Sequence, residues 1–180
     1  MNKLLGTILI FSILFTFILG GYFFLESITH PIKYKNEIIS ISNKYALDPT
    51  IVASLINVES SYDPLAKSNK NAIGLMQIKV STANYMNELD NRDNIDENAL
   101  FSINTNIDYG CRYLRYLLNK FVDTNTALAA YNAGETIVRS WLKGGICSLD
   151  GKTLSYIPYK ETRNYVEKIN ANINFYKKIY

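Results

Sequence analysis

The chain opens on an uncharged run. Residues 4–25, LLGTILIFSILFTFILGGYFFL, contain no acidic or basic side chain. As a helix they span roughly 33 Å at about 1.5 Å per residue, the thickness of a bilayer's hydrocarbon core. Lys3 and the free amine precede the run, and positive charge before a first span favours a cytoplasmic N-terminus with the rest exported. Residues 1–25 are therefore expected to be a cytoplasmic stub and a transmembrane anchor. A cleaved signal peptide is the competing reading. Its apolar region is shorter, about 7–15 residues, and ends at an A-x-A-like site, which does not follow here. Both readings place the remainder outside the cytoplasm.

Residues 26–35 read as a linker, because His30-Pro31 breaks a helix. Beyond it the apolar positions recur with helical period. Ile38, Ile41 and Tyr45 share one face of a first helix. Asp48-Pro49 is a start signal: Asp caps, and Pro fits the first turn. The helix that follows carries Ile51, Val52, Leu55, Ile56 and Val58 and ends at Glu59-Ser60. Ser81 is a cap for a helix through Met86, and Asn87 to Asn98 read as a surface loop. Ile107, Cys111, Leu114, Leu118 and Phe121 mark one face of a long helix. Thr124 is a cap for a short helix that Gly134 ends or bends. Ile137, Val138, Trp141 and Leu142 continue helically to Gly144-Gly145. A last helix from about Lys160 carries Tyr165, Val166, Ile169, Ile173 and Tyr176. The class is mainly α, with one compact domain over residues 36–180.

Composition narrows the chemistry. The 180 residues suit one domain plus an appendage, and 48% hydrophobic content supplies a core. A net charge of +3 suits an anionic surface but not nucleic acid, and no dense Lys/Arg stripe is present. One histidine, His30, and two cysteines, Cys111 and Cys147, are too few for an ordinary zinc site. A Ser-His-Asp arrangement would need His30, outside the expected domain. No phosphate-binding loop or dinucleotide turn occurs. No metal or cofactor is expected, and carboxylates, amides and tyrosines are left to do any chemistry. The 14 tyrosines serve either packing or a sugar-binding groove.

One carboxylate stands out. Glu59 ends an otherwise apolar helix, where the helix dipole disfavours negative charge and raises a carboxyl pKa. Its surroundings are Glu59-Ser60-Ser61-Tyr62-Asp63-Pro64, then Ser68, Gly74-Leu75-Met76-Gln77-Ile78 and Thr82-Ala83. Further on come Asn106-Ile107, Gly110 and Tyr113-Leu114, then Ala129-Ala130-Tyr131-Asn132-Ala133-Gly134. Ile157-Pro158, Glu161-Thr162 and Tyr165-Val166 complete the series. Four blocks in this order resemble the soluble-lytic-transglycosylase family of peptidoglycan-cleaving enzymes, over roughly Asn36 to Asn174.

The resemblance implies a goose-lysozyme-like α domain with a long sugar groove. Glu59 matches the family's catalytic glutamate, and Ser60 the serine beside it. Met76 and Gln77 match groove-lining residues, Tyr131 and Asn132 the pair that contacts substrate, and Tyr165 a tyrosine near the catalytic carboxyl. Two positions depart from the pattern: Lys79-Val80 replace a frequent Met-Pro, and Asn71-Ala72 replace a frequent Gly-Ala. Lys79 puts a cation near the groove. Asn tolerates positive φ better than most residues, so the turn at Asn71 is expected to survive.

The implied reaction cuts the MurNAc-GlcNAc bond without water and leaves 1,6-anhydro-MurNAc ends, Glu59 acting first as acid and then as base. Peptidoglycan strands are the implied partner, the membrane is met through residues 4–25, and there is room for partner proteins of an envelope assembly. Two other readings use the same residues: a hydrolytic muramidase with a loop Asp holding water, and a catalytically silent wall-binding module.

Overall fold

The computed structural model describes residues 2–180, apart from the side chains of residues 2–7, 9, 22, 23, 26 and 27. It divides into two units, Met1–Lys33 and Tyr34–Tyr180. The first contains one helix, α1 (Asn2–Thr29), which stops just before His30-Pro31. The stretch expected to be all linker is thus helical as far as Thr29. Among the described residues no helix is long and apolar enough to cross a membrane. The anchor expected over residues 4–25 falls partly on side chains outside the described residues, so the fold does not establish a span.

The second unit is mainly helical: α2 (Lys35–Lys44), α3 (Pro49–Ser60), α4 (Val80–Leu89), α5 (Ile103–Lys120), α6 (Thr124–Ala133), α7 (Glu135–Lys143) and α8 (Lys160–Tyr176). Between α3 and α4 lie two two-residue strands, β1 (Ala72–Ile73) and β2 (Ile78–Lys79), paired antiparallel with Ile73 opposite Ile78. Helix starts follow local chemistry. Asp48 caps α3 by accepting from the Thr50 N–H at 2.8 Å, with Pro49 in the first turn. Asp123, rather than the expected Thr124, caps α6 by accepting from Thr126 N at 3.0 Å. Ser81 does not cap α4, which begins at Val80 with no side-chain cap.

α3 is buried along much of its length. Val52, Ala53, Leu55 and Ile56 have no solvent exposure, and burial of each large side chain stabilises the fold by about 1.5–3 kcal/mol. α8 packs along α3, and α6 packs against α5, α7 and α8. α5 buries Ile107, Gly110, Cys111, Leu114 and Leu117 on one face, a 3- and 4-residue spacing that winds one stripe along a helix. Gly134, at φ 97°, separates α6 from α7, a backbone state that a side chain would strain. The consequence is that the end of α3, the hairpin, the end of α6 and the start of α8 converge.

Candidate active site

Glu59 is the penultimate residue of α3. Directly after it the chain makes an abrupt exit: Ser61 and Tyr62 are both left-handed, at φ 51° and 64°. Such conformations cost on the order of 1 kcal/mol or more in residues with a Cβ. They are held here because Tyr62 is fully buried and its hydroxyl reaches Ala53 O at 3.3 Å. This exit leaves Glu59 half-buried.

The Tyr165 hydroxyl donates to Glu59 Oε1 at 2.6 Å. Removal from water raises the Glu59 pKa to about 7, and the Tyr165 hydrogen bond partly opposes that rise. A free Glu titrates near 4.3, so Glu59 is poised to hold its proton near neutrality. Burial, and then the nearby Glu59 charge, push both Tyr165 and Tyr131 well above the ordinary phenol range. Both therefore stay protonated and can donate.

A second layer fixes the backbone around this carboxyl. The Ser60 hydroxyl donates to Leu75 O at 2.9 Å, joining the end of α3 to the hairpin turn. The Asn106 side chain, buried in α5, accepts from Met76 N at 2.7 Å and donates to Ile73 O and Leu100 O at 2.8 Å each. The Tyr131 hydroxyl donates to Met76 O at 2.9 Å. Gly74 sits at φ 71°, and a Cβ there would press into the Asn106 amide and come within 2.9 Å of Leu100 O. Asn71 holds φ 58°, so the departure at that position keeps its turn.

Met76 was expected to line the groove, but its side chain has no solvent exposure and packs over Gly110. It contributes to the site through its backbone. The side chain on the open face three residues later is Lys79, exposed at the end of β2. Gln77, left-handed at φ 48°, turns its amide inward to Gly74 O at 3.0 Å and Ala66 O at 3.3 Å.

A cavity of about 180 Å³ opens beside these groups, lined by Gln77, Lys79, Thr82, Tyr113, Tyr131 and Asn132 among others. The Thr162 hydroxyl donates to Asn132 Oδ1 at 2.8 Å. That bond occupies the amide oxygen and leaves the Asn132 NH2 as the end available to a ligand. Thr162 is itself buried and lies one turn before Tyr165 on α8. Only its long-range partner reveals its role. Tyr113 joins Tyr131 to Tyr116 through ring centroids 5.3 and 6.3 Å apart, and Tyr85 meets Tyr116 at 5.9 Å. A tyrosine row thus leads outward from the cavity.

A larger cavity of about 640 Å³ lies between α2 and α5. It holds none of the expected site residues, and two of its charged residues, Lys44 and Asp108, are already paired at 2.5 Å. Several other acids have partners of their own. Asp63 braces its loop by accepting from Leu65 N at 2.9 Å. Asp90 pairs with Arg112, Asp96 accepts from Ala99 N at 3.1 Å, and Asp93 and Glu161 are exposed. Cys111 and Cys147 are both free and buried.

Comparison with known proteins agrees with this geometry. Residues 36–145 match the family model of the transglycosylase SLT domain. The chain is 43% identical over 102 residues to the membrane-bound lytic murein transglycosylase E of Buchnera aphidicola, a match covering 54% of this chain and 45% of that protein. It is 34% identical over 140 residues to the soluble lytic murein transglycosylase of Salmonella typhimurium, covering 76% of this chain and 21% of that one. Among solved structures, the lytic transglycosylase Slt of Pseudomonas aeruginosa superposes with a TM-score of 0.73 at 25% identity, over 85% of this chain and 25% of that chain. The 70 kDa soluble lytic transglycosylase SLT70 of Escherichia coli gives 0.71 at 27% identity over 83% of this chain and 25% of that one, and a 70 kDa soluble lytic transglycosylase in complex with bulgecin A gives 0.72 at 27% identity over the same shares. The chain spans less than half the length of these relatives.

Proposed function

The chain belongs to the transglycosylase SLT domain family, and we propose that it is a peptidoglycan lytic transglycosylase with Glu59 as its single acid and base. The observation that carries this reading is the desolvated Glu59 carboxyl, raised to about pKa 7 and held by Tyr165 at 2.6 Å. At pH 7 such a group is about half protonated, against roughly 0.2% for a free Glu.

The protonated Glu59 gives its proton to the oxygen of the MurNAc-GlcNAc bond as the bond from muramyl C1 to that oxygen breaks. The muramyl N-acetyl oxygen supports the positive charge left at C1. Glu59, now a carboxylate, takes the proton of the sugar's own C6 hydroxyl while that oxygen bonds C1. The anhydro ring closes, Glu59 is protonated again, and no water is consumed. A hydrolase would need a second carboxylate about 5–9.5 Å from the first. Asp63 braces its own loop and Asp90 pairs with Arg112, which favours the intramolecular route, where proximity of the C6 hydroxyl is the main advantage. Gln77, Asn132 and Tyr131 would hold the muramyl unit, the Asn132 NH2 donating to a sugar carbonyl or hydroxyl.

The N-terminal helix is proposed to tether the domain at the membrane, with the domain outside the cytoplasm. The uncharged residues 4–25 and the membrane-bound relative support that reading. Digestion of purified sacculi by the wild-type chain and by Glu59→Gln tests the enzyme reading. Release by the first and none by the second is expected; release by both would remove Glu59 from its role.

A further inference from the structure

Lys79 is the one charged side chain on the wall of the cavity that contains Tyr131 and Asn132. Its backbone is fixed on both sides, since β2 pairs it with Ala72 and α4 starts at the next residue. Its side chain is exposed and makes no ion pair among the described residues; Asp90, Glu97, Asp108 and Glu135 have other partners. Nor does it cap α4. The other lining side chains, Gln77, Thr82, Tyr113, Tyr131 and Asn132, are neutral at ordinary pH, and burial lifts Tyr113 to about 12. An unpaired cation at a neutral, partly enclosed wall leaves an anion on the ligand as its counterpart.

Resting on the peptidoglycan reading above, we propose that Lys79 is a specificity residue that binds a carboxylate of the peptide stem carried by the muramyl unit. The N-acetylated sugar backbone has no charge of its own. The stem hangs from the same muramyl residue that Glu59 acts on, and its free carboxylates are the anions brought nearest to this wall. Lys79 thereby favours strands whose stems keep free carboxylates over strands whose stems are amidated.

The test measures binding of soluble glycan strands to the whole chain carrying Glu59→Gln, with Lys79 intact or changed to Gln or Arg. Three strands are compared: stems with free carboxylates, the same stems amidated, and strands stripped by an amidase, which exposes the lactyl carboxylate. With Lys79 present, free-carboxylate stems should bind about two- to fivefold more tightly than amidated ones, the size of one solvent-accessible ion pair. The preference should shrink with added salt, vanish in Lys79→Gln and persist in Lys79→Arg. A preference that survives Lys79→Gln, an equal loss on all three strands, or a Lys79 effect confined to the stripped strands would overturn the proposal. Sacculus digestion by the wild-type chain, run alongside, keeps the two readings apart. Binding preference without any release would remove the enzyme reading while keeping Lys79 as the stem contact.

Discussion

Tyr165 on α8 donates to Glu59 Oε1 on α3 at 2.6 Å across 106 positions of sequence. This bond lowers the carboxyl pKa while burial raises it, and burial wins, giving about 7. Activity that needs protonated Glu59 should be flat below pH 7 and fall about tenfold per unit above it. Tyr165→Phe removes the lowering influence, so the falling limb should move to higher pH even as turnover drops. Rates of muropeptide release across pH 5 to 9 check this; a limb that stays put or moves down would contradict it.

Glu59→Gln should abolish release, with a loss of at least about 10²–10⁴-fold. It should also stabilise the fold. A carboxyl whose pKa is raised on folding binds its proton more tightly in the native state, so stability falls as pH climbs from about 4.3 to about 7. Above that window the charged, buried Glu59 costs about 3 kcal/mol or less, since a shift of one unit is about 1.4 kcal/mol and partial exposure discounts it. Denaturant melts should show Gln more stable at pH 8 and no gain at pH 4. Equal stability at both would mean that Glu59 is better solvated than its setting implies.

Thr162 orients Asn132 through the 2.8 Å bond to Oδ1. Thr162→Val keeps the shape but frees the amide to rotate. We expect KM for soluble strands to rise several-fold with little change in the pH profile, and Thr162→Ser to restore it. A loss of a buried hydrogen bond costs about 1 kcal/mol, so thermal stability should fall only modestly. If Val and Ser behave alike, Thr162 does not position Asn132.

Asn106 carries three bonds, two to the hairpin region at Met76 and Ile73 and one to Leu100, just before α5. Asn106→Ala leaves these buried backbone groups unmatched, at about 1–3 kcal/mol each before water enters. The expected outcome is a strongly lowered melting temperature together with lost activity. A variant that is stable yet inactive would instead give Asn106 a direct part in binding.

The helices and the unusual setting of Glu59 were legible in the sequence because their causes are local. Asp48-Pro49 starts α3 by its own chemistry, and Glu59 stands out against the apolar residues before it. The Asn71 turn followed from what an Asn side chain tolerates. What was not legible depends on pairs far apart in the chain. Thr162 acquires its meaning from Asn132, 30 positions away. Met76, in the turn between β1 and β2, faces the core while Lys79, at the end of β2, faces outward, and the Met76 backbone is held by Asn106 and Tyr131. Hydropathy along residues 76–79 carries no sign of it. The cap of α6 moved from Thr124 to Asp123 because both residues are competent caps and the helix start decides between them.

In the proposed reaction one carboxyl, acting with the sugar's own C6 hydroxyl, closes an anhydro ring. The most direct measurement is mass spectrometry of muropeptides released from sacculi by the wild-type chain. Products about 18 Da lighter than the hydrolysed forms, the mass of the omitted water, and resistant to borohydride reduction are the predicted result. Products dominated by reducible ends would contradict the account and turn attention to a water-holding acid such as Asp93 or Asp96.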